Sequence, residues 1–370
     1  MKRLSLFILP LLLAGVVLPD DNCSNKLKNA AADGPYILYK NGHACFKYVE
    51  EVNGTMKARI DSIPMSARNS YELKVATDLD GIYFKVQLKD QLVNEKTSYD
   101  NVNKQFIVSD LEGNFGAFRQ LLESNGVMDT SFNWTFGDGH LVLTGDFFDR
   151  GTQVTELLWL IYSLEDKAKA AGGYVHFILG NHEIMNLSGD LRYVNKKYMD
   201  NAKLLQEKYE NLFGENSELG RWLRTKNVME KVGDVLYAHG GISPAVNRMK
   251  ASAEQTNDLV RPWYADSSFQ YNDPRVDTLY SDLGPFWYRG YYTGSPRASH
   301  AQLDSTLAKY GVKHIATGHT VIADTISKLF GGKLFNTDVH HARGKSEALL
   351  IENGAVFRVT PTGARFPWTF

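Results

Sequence analysis

An apolar run followed by two aspartates limits the folds open to this 370-residue chain. Residues 141–151 read LVLTGDFFDRG and place Asp146, Asp149 and Arg150 between two glycines. A short apolar run that ends in glycine is typical of a buried parallel strand at its carboxyl end, where ligands collect in open α/β sheets. The stretch therefore predicts an α/β fold with carboxylates directed into a site. The alternative is a turn in which an aspartate caps the following helix.

Four other apolar runs also end in polar residues of types that bind metals. They are residues 106–114 (FIVSDLEGN), 175–183 (VHFILGNHE), 235–241 (VLYAHGG) and 315–320 (IATGHT). Side chains at the ends of several strands meet in space even when they are distant in sequence. Carboxylate, amide and imidazole groups together suit two adjacent borderline cations, and the candidate ligands are Asp110, Glu112, Asp146, Asn181, His239 and His319.

The motifs GDFFDRG, GNHE, HGG and GHT, in this order, resemble the metallophosphoesterase superfamily and, within it, the phosphoprotein phosphatase branch. Residues 180–194 (GNHEIMNLSGDLRYV) and 284–291 (GPFWYRGY) are similar to the bacterial and plant Shewanella-like phosphatases. The resemblance covers residues 106–338. One departure concerns the first motif, which is usually Asp-x-His-Gly in the family and here is Asp110-Leu111-Glu112-Gly113.

The resemblance implies an α/β fold of the calcineurin-like metallophosphoesterase type, an α/β/β/α sandwich, with two divalent metal ions. It implies that Asp110 and the residue at Glu112 hold the first ion, that Asp146 bridges the two ions, and that Asn181, His239 and His319 hold the second. The metals considered are Mn, Fe, Zn and Mg, and Mn is favoured because a carboxylate at Glu112 is a harder ligand than imidazole. Alternatively, Glu112 turns away and leaves a weak first site.

The same resemblance implies which residues transfer a proton to the leaving group. His182 in GNHE is not a ligand in the family pattern but lies near the leaving oxygen, where it acts as a general acid, and Asp149 orients its ring. Glu183 is expected to support a ligand indirectly.

Arginines are the expected donors to phosphate oxygens, because the planar guanidinium matches them. Arg150 is the first candidate since it adjoins the metal loop, and the resemblance adds Arg192 and Arg289. Ordinary surface or packing roles are the alternative for Arg192 and Arg289. His340 and His341 are interpreted as structural.

The implied function is hydrolysis of phosphomonoesters by a hydroxide on the metal pair, without a phosphoenzyme. The expected substrate is a phosphoprotein, on Ser/Thr or Tyr, or a small phosphomonoester. The alternatives are a phosphodiesterase or dinucleotide pyrophosphohydrolase on the same site, and a phosphate-binding pseudoenzyme disabled at Glu112. Lys and Arg number 41 against 42 Asp and Glu, so no nucleic-acid partner is expected.

The chain divides into three predicted parts. Residues 1–23, with Lys2, Arg3 and an apolar run, predict a signal peptide or short anchor and hence an exported protein, periplasmic or secreted, that meets the membrane only if the leader is uncleaved. Residues 24–100 alternate between apolar and polar positions around turns and predict a small antiparallel β region. Residues 101–370 form the catalytic domain. Whether Cys23 pairs with Cys45 is open.

Several further elements follow from periodicity. Helices are predicted at residues 114–123 and 152–171, the latter with Leu157, Leu158, Ile161 and Leu164 on one face. Residues 193–211 predict one amphipathic helix, which either caps the site or simply has a solvated charged face. The aromatic stretch 261–294 is interpreted as a loop that forms the substrate mouth or as a set of packing anchors.

Overall fold

The computed structural model describes residues 31–294 and 297–368. The predicted leader at residues 1–23, and with it any pairing between Cys23 and Cys45, lies outside the described residues. Within these ranges, no helix combines the length and the apolar character needed to cross a membrane.

The amino-terminal part of the described chain is a small antiparallel β region, as predicted. A three-stranded sheet contains β1 (Asp33–Lys40), β2 (His43–Val52) and β3 (Thr55–Pro64), and a separate hairpin contains β4 (Leu73–Ala76) and β5 (Tyr83–Val86). Asn53 and Gly54 join β2 to β3 with φ values of 55° and 75°. Both residues lie in the left-handed region that the favoured two-residue hairpin turns require, which is why Asn-Gly signals a hairpin.

The rest of the chain alternates between strands and helices around two sheets. Short 3-10 turns lie at Met65–Ser70, Arg261–Trp263, Phe330–Gly332 and His341–Arg343. In chain order the other elements are β6 (Ser98–Tyr99), β7 (Lys104–Val108), α1 (Phe115–Ser124), β8 (His140–Leu143), α2 (Val154–Ala170), β9 (Tyr174–Phe177), α3 (Asn181–Ser188), α4 (Lys196–Leu204), α5 (Tyr209–Leu212), α6 (Glu218–Leu223), β10 (Met229–Val232), β11 (Val235–Ala238), α7 (Pro244–Arg248), α8 (Ala253–Val260), α9 (Pro274–Tyr280), α10 (His300–Tyr310), β12 (His314–Thr317), β13 (Ser327–Leu329), β14 (Leu334–Asn336), β15 (Ala348–Glu352), β16 (Ala355–Val359) and β17 (Arg365–Trp368).

Among the described residues each sheet has six strands, three of which are adjacent and parallel. The first runs in the order β17-β16-β15-β7-β8-β9 and the second in the order β13-β14-β12-β11-β10-β6. In the first sheet Val108, Leu143 and Phe177 are aligned neighbours on parallel strands. In the second sheet β11, β12 and β14 are parallel and likewise in register. The loops that leave these strands therefore start side by side, as the sequence pattern predicts.

The two sheets pack face to face. Ile107 and Val142 of the first sheet share one buried cluster with Tyr237, Ala316 and Phe335 of the second. Apolar residues on both faces of a strand are typical of parallel sheets that are covered on both sides. The inner faces form one core, and a second, larger core joins the outer faces of both sheets to the helices and to the amino-terminal β region.

Helix α2 is buried on more than the one face that its periodicity predicts. Trp159 and Tyr162 are buried together with the predicted apolar stripe. Trp159 Nε1 donates to the Pro35 carbonyl at 2.8 Å, and the Lys89 amide donates to the Tyr162 hydroxyl at 2.7 Å. The amino-terminal β region thus covers the side of α2 that faces away from the first sheet.

Two local predictions differ from the structure. The single helix expected at residues 193–211 is wrong: α4 ends at Leu204 and α5 starts at Tyr209. Gln206 lies between them with a φ of 55°, and Lys47 Nζ of β2 binds the Leu205 carbonyl at 3.1 Å. The stretch 261–294 is not wholly a loop, because it contains α9, and its residues Tyr291 and Tyr292 are buried anchors.

Candidate metal centre

The loops that follow the central strands are held in an uncommon backbone conformation. Six residues other than glycine have φ values between 45° and 71°, and they are Asp110, Glu112, Asp146, Asp149, Arg150 and His319. Such conformations cost free energy, cluster at functional sites and persist only where the surroundings fix them. All six are candidate site residues in the sequence analysis. Their φ values are an independent indication of a site, because the sequence motifs do not use backbone conformation.

Backbone hydrogen bonds tie two of these loops together. The amides of Asp110, Glu112 and Gly113 donate to the carbonyls of Gly145, Asp146 and Phe147 at 2.9, 3.0 and 3.0 Å. The loop after β7 therefore continues the pairing of β7 with β8 beyond the sheet, which fixes the first two acidic segments relative to each other.

The Asp146 carboxylate lies at the centre of the site and is almost fully buried. Its Oδ2 is 3.0 Å from His239 Nε2 and 3.8 Å from His182 Nε2, and its Oδ1 accepts the His182 amide at 3.0 Å. A Cβ at Gly180 would collide with this carboxylate, so glycine is needed there. Oδ2 of Asp146 thus faces two imidazole rings, and Oδ1 accepts a backbone amide.

His239 and Asn181 meet beside Asp146. His239 Nε2 is 3.1 Å from Asn181 Oδ1, while Nδ1 donates to the Thr144 carbonyl at 2.7 Å. Burial opposes a charge on the ring, but Asp146 and Asp110 raise the pKa of His239 to about 10. The protonated ring can donate from Nε2 to Asp146, at the place where a cation fits, and metal binding would release that proton.

His319 approaches from the second sheet. Its ring lies 4.9 Å from that of His239, and its Nε2 donates to the Trp287 carbonyl at 3.1 Å. Burial and the charge of His239 lower the pKa of His319 to about 2. The ring is therefore neutral, with Nδ1 left as the unprotonated nitrogen.

Asp110 and Glu112 flank Asp146. Both oxygens of Asp110 accept the His319 amide at 3.2 Å. Burial raises the pKa of Asp110 to about 7. The charge of His239 opposes this increase, and the charge of Asp146 adds to it. The Glu112 carboxylate forms an ion pair with Arg150.

These residues fit divalent cations. Asp146, His239 and His319 offer ligand atoms within 4.8 Å of one another, and so do Glu112, Asp146 and His182. The raised pKa of Asp110 indicates that the burial of this carboxyl is not fully compensated by its neighbours, and a bound cation would supply the missing positive charge. The mixture of oxygen and imidazole donors is typical of borderline divalent metals.

His182 and Asp149 form a closely coupled pair. His182 Nδ1 lies 2.5 Å from Asp149 Oδ2, and both side chains are buried. Burial would lower the pKa of His182, but the carboxylates of Asp146 and Asp149 raise it. A protonated imidazole held in this way can donate a proton from Nε2.

Two residues that the sequence analysis missed hold this pair in place. Asn186 Nδ2 donates to Asp149 Oδ1 at 2.8 Å, and the Tyr209 hydroxyl donates to Asn186 Oδ1 at 2.7 Å. Asn186 lies four residues after His182 on α3, a spacing that places both on one helix face and could have identified it. Nothing local in the sequence points to Tyr209.

Glu183 supports the ligands through the backbone. Its carboxylate accepts the amides of Gly180, Asp146 and Phe147 at 2.7, 2.8 and 2.7 Å. One buried side chain thus joins the start of α3 to the loop that carries Asp146.

The arginines, with Tyr193, form an exposed edge that we call the rim: Arg150, Arg192, Tyr193 and Arg289. The Arg150 guanidinium lies 5.4 Å from the centre of the Tyr193 ring, whose edge contacts His182 at 5.3 Å between ring centres. Arg192 pairs with Asp190 at 2.7 Å and is 70% exposed. Arg289 donates to the His319 carbonyl and, at 3.0 Å, to Thr320 Oγ1. Only Arg150 is joined directly to a candidate ligand side chain.

His340 and His341, which follow β14, contact residues other than the candidate ligands. His341 Nε2 donates to the Ser109 carbonyl at 3.1 Å, and His340 Nδ1 pairs with Asp324 at 2.9 Å.

Asp338, which the sequence analysis did not select, is 6% exposed. It follows a parallel strand in the same way as the selected residues, and that signal could have found it.

Comparison with known proteins adds three findings. The profile of the calcineurin-like phosphoesterase family matches residues 104–323. The crystal structure of a cold-active protein-tyrosine phosphatase of a psychrophilic Shewanella species has a TM-score of 0.82 and 34% identity, and covers 91% of this chain and 99% of that chain. Shewanella-like protein phosphatase 2 of Arabidopsis thaliana is 24% identical over 337 residues, which are 78% of this chain and 84% of that protein.

A more distant relative is the symmetrical bis(5'-nucleosyl)-tetraphosphatase of Buchnera aphidicola. It is 29% identical over 165 residues, which are 42% of this chain and 51% of that protein. Together the comparisons confirm the predicted fold and the predicted resemblance.

Proposed function

Because the chain belongs to the calcineurin-like phosphoesterase family, we propose that it hydrolyses phosphomonoesters with two divalent metal ions. One observation carries the proposal. The buried Asp146 carboxylate belongs to two sets of possible metal ligands. One set contains His239, at 3.0 Å, and His319, and the other contains Glu112 and His182.

The residues that would hold the ions divide into two sets around Asp146. Asp110 and Glu112 would hold the first ion, and Asn181, His239 and His319 the second. Two such ions supply positive charge for phosphoryl oxygens and lower the pKa of a bound water. We favour Mn²⁺, since three carboxylates in the combined set make it harder than an imidazole-rich site.

His182 is the proposed general acid. Its Nδ1 is hydrogen-bonded to Asp149, so the proton that a leaving oxygen can receive is the one on Nε2. Asn186 and Tyr209 keep the Asp149 carboxylate in position. The carboxylates of Asp146 and Asp149 raise the pKa of His182, which favours the protonated ring that a general acid needs before transfer.

Arg150 is the proposed donor to phosphoryl oxygens. Its side chain is 48% exposed and lies between Glu112 and the Tyr193 ring, at the open side of the site. A guanidinium there can exchange its carboxylate partner for the planar edge of a phosphate. Arg192 and Arg289 are proposed as secondary contacts.

Phosphoproteins are the proposed substrate class. The structure with 34% identity is that of a protein-tyrosine phosphatase, and the match extends over nearly the whole of that chain. The exposed Tyr193 ring beside His182 adds an aromatic surface at the mouth. Dinucleotide hydrolysis is the second candidate, favoured by the tetraphosphatase relative, whose match covers less than half of this chain.

We also propose that residues 1–23 export the protein, since Lys2 and Arg3 precede an apolar run of signal-peptide length. Small phosphomonoesters are then further substrates outside the cytoplasm. Cell fractionation of the full chain and of a chain lacking residues 1–23 tests this: export of both forms alike contradicts it.

The test of the proposed function compares substrate classes on one protein preparation. The metal-stripped chain is reconstituted with Mn²⁺ and assayed with a phosphotyrosine peptide, a phosphoserine peptide, p-nitrophenyl phosphate, bis-p-nitrophenyl phosphate and a dinucleoside tetraphosphate. We expect kcat/KM for the monoesters to exceed that for the diester and the dinucleotide. Asp146→Asn is the negative control for contaminating phosphatases. A preference for the dinucleotide supports the second candidate, and phosphate binding without turnover indicates a binding protein.

A further inference from the structure

Tyr193 lies at the mouth of the candidate metal centre, in the segment between α3 and α4. Its carbonyl accepts the Arg150 amide at 3.0 Å. Two residues later, Asn195 Nδ2 donates to the Arg150 carbonyl at 2.9 Å, and Lys197 Nζ donates to the Thr152 carbonyl at 2.5 Å. The segment that carries Tyr193 is therefore hydrogen-bonded to the loop that contains Arg150, which fixes its backbone relative to the site.

The Tyr193 side chain is exposed, unlike its neighbours in the sequence. Tyr193 is 46% exposed, whereas Tyr198 and Tyr209, the next tyrosines along the chain, are 2% and 3% exposed. Those two belong to the main hydrophobic core. A single exposed aromatic residue is ordinary on a protein surface, so only the groups around it can indicate a role.

The groups around the Tyr193 ring are those of the proposed reaction. The ring centre lies 5.3 Å from that of His182, with an angle of 64° between the ring planes. The guanidinium groups of Arg150 and Arg192 lie 5.4 and 5.8 Å from the same centre. His182 is the proposed general acid, and Arg150 is the proposed donor to phosphoryl oxygens. An exposed aromatic ring is therefore placed next to both of them.

The contact with His182 places Tyr193 on the side of the leaving group. A general acid must be within hydrogen-bond reach of the oxygen that it protonates. That oxygen joins phosphorus to the leaving group, so the atoms beyond it lie close to His182. A second aromatic residue at the site, Trp287, contacts His319 instead, at 5.9 Å between ring centres. Trp287 thus lies beside a proposed metal ligand, whereas Tyr193 lies beside the acid.

Phosphotyrosine and phosphoserine differ in the groups that they place next to the acid. The leaving oxygen of phosphotyrosine is bonded to an aromatic ring, whereas that of phosphoserine is bonded to a single methylene group. Two aromatic rings pack favourably in offset or edge-to-face arrangements with their centres about 4.5–7 Å apart. A ring beside the acid can therefore contact the leaving group of phosphotyrosine over a larger apolar surface than that of phosphoserine.

We propose that Tyr193 determines selectivity for aromatic phosphomonoesters by packing against the aromatic leaving group of phosphotyrosine. The inference rests on the proposed function, since it requires hydrolysis of phosphomonoesters with His182 as the acid. Movement of the Arg150 guanidinium from Glu112 to phosphoryl oxygens leaves the Tyr193 backbone in place, because the Arg150 amide holds it rather than the side chain. The phosphoryl group and the aromatic ring of one substrate are thus bound by adjacent residues of the rim.

The test measures how each variant discriminates between two leaving groups. The Mn²⁺-reconstituted wild type, Tyr193→Ala, Tyr193→Phe and the control Tyr83→Ala are assayed with a phosphotyrosine peptide and a phosphoserine peptide of otherwise identical sequence. Tyr83 is 57% exposed on β5, outside the site. We expect Tyr193→Ala to lower kcat/KM about 5- to 30-fold for the phosphotyrosine peptide, chiefly through KM, and at most about 2-fold for the phosphoserine peptide. Tyr193→Phe and Tyr83→Ala should match the wild type with both peptides.

Binding without turnover separates contact with the substrate from an effect on His182. The same proteins are titrated by calorimetry with benzylphosphonate and ethylphosphonate, in which carbon replaces the leaving oxygen. Tyr193→Ala should bind benzylphosphonate more weakly than the wild type does and ethylphosphonate equally well.

Three results overturn the inference: equal losses with both peptides in Tyr193→Ala, unchanged binding of benzylphosphonate in that variant, or a loss of selectivity in Tyr193→Phe as large as that in Tyr193→Ala. A wild type that hydrolyses neither peptide instead contradicts the proposed function itself, and the inference fails with it.

Discussion

Asp149 and Arg150 are consecutive residues, yet they belong to regions built in opposite ways. Asp149 is buried at 2% exposure and has a partner for each oxygen, His182 and Asn186. The Arg150 side chain is 48% exposed, and its contacts are one carboxylate and one aromatic ring. The first belongs to the metal centre and the second to the rim.

The difference separates the chemistry from the choice of substrate. Groups that must meet charge in a transition state are most effective when their positions are fixed beforehand, as buried strand-end loops allow. Groups that receive different substrates need contacts that can be exchanged. We therefore expect substitutions in the metal centre to change turnover, and substitutions on the rim to change mainly substrate binding.

The largest expected effect is that of Asp146→Asn. An amide cannot bridge two cations as a carboxylate does, so this variant should bind fewer than two ions and show no measurable turnover. Metal analysis by mass spectrometry and p-nitrophenyl phosphate assays check this. Asp78→Asn, which alters a buried aspartate paired with Arg119 outside the site, is the control. Two bound ions in Asp146→Asn would show that Asp146 does not bridge.

His182→Asn should lower kcat by about 10²- to 10⁴-fold while both metals are retained. The loss should be greater for phenyl phosphate than for p-nitrophenyl phosphate, because the poorer leaving group needs the proton more. His140→Asn, at the opposite end of β8, is the control for general damage. An equal loss with both substrates would contradict the general-acid role.

Arg150→Ala should lower kcat/KM by about 10- to 100-fold, chiefly through KM, because a charge-assisted hydrogen bond to substrate is lost. Arg192→Ala is the matched rim variant, and we expect it to change kcat/KM less, since Arg192 pairs with Asp190 and points to solvent. Steady-state kinetics with a phosphotyrosine peptide measure both. A larger effect of Arg192→Ala would contradict the assignment of Arg150 as the main donor to phosphoryl oxygens.

Tyr209→Phe is the smallest of these changes and tests whether the metal centre extends beyond its ligands. It removes the hydrogen bond to Asn186 and should lower kcat about 2- to 10-fold, with KM unchanged. Tyr162→Phe removes a buried tyrosine hydroxyl that bonds Glu218 and should leave kcat unchanged. Equal losses in kcat from both variants would mean that the effect is general rather than specific to the Asp149 pair.

The sequence predicted which candidate ligands lie close together better than it predicted the contacts of the rim, and the reason is physical. Apolar runs that end in Gly and polar residues are visible in the local sequence, and the parallel strands bring Asp146, His239 and His319 together. Asp110 joins them because its carboxylate accepts the His319 amide. Contacts such as that of Tyr209 with Asn186 join residues 23 positions apart and leave no local pattern. The periodicity of the sequence also does not indicate whether an exposed arginine faces a site or a neighbouring carboxylate.

Two local predictions of the fold differ from the structure. The helix predicted at residues 193–211 has suitable amphipathic spacing, but it is interrupted at Gln206, beside a hydrogen bond from the distant Lys47 to the Leu205 carbonyl. The second difference is the stretch 261–294, which was expected to be a loop but contains α9 at Pro274–Tyr280.

The measurement that tests the central claim most directly is turnover of p-nitrophenyl phosphate by the metal-stripped chain during titration with Mn²⁺. A dinuclear site predicts negligible turnover without metal and a maximum that is reached at two equivalents per chain. Turnover that survives complete metal removal, or that is already maximal at one equivalent, would contradict the account.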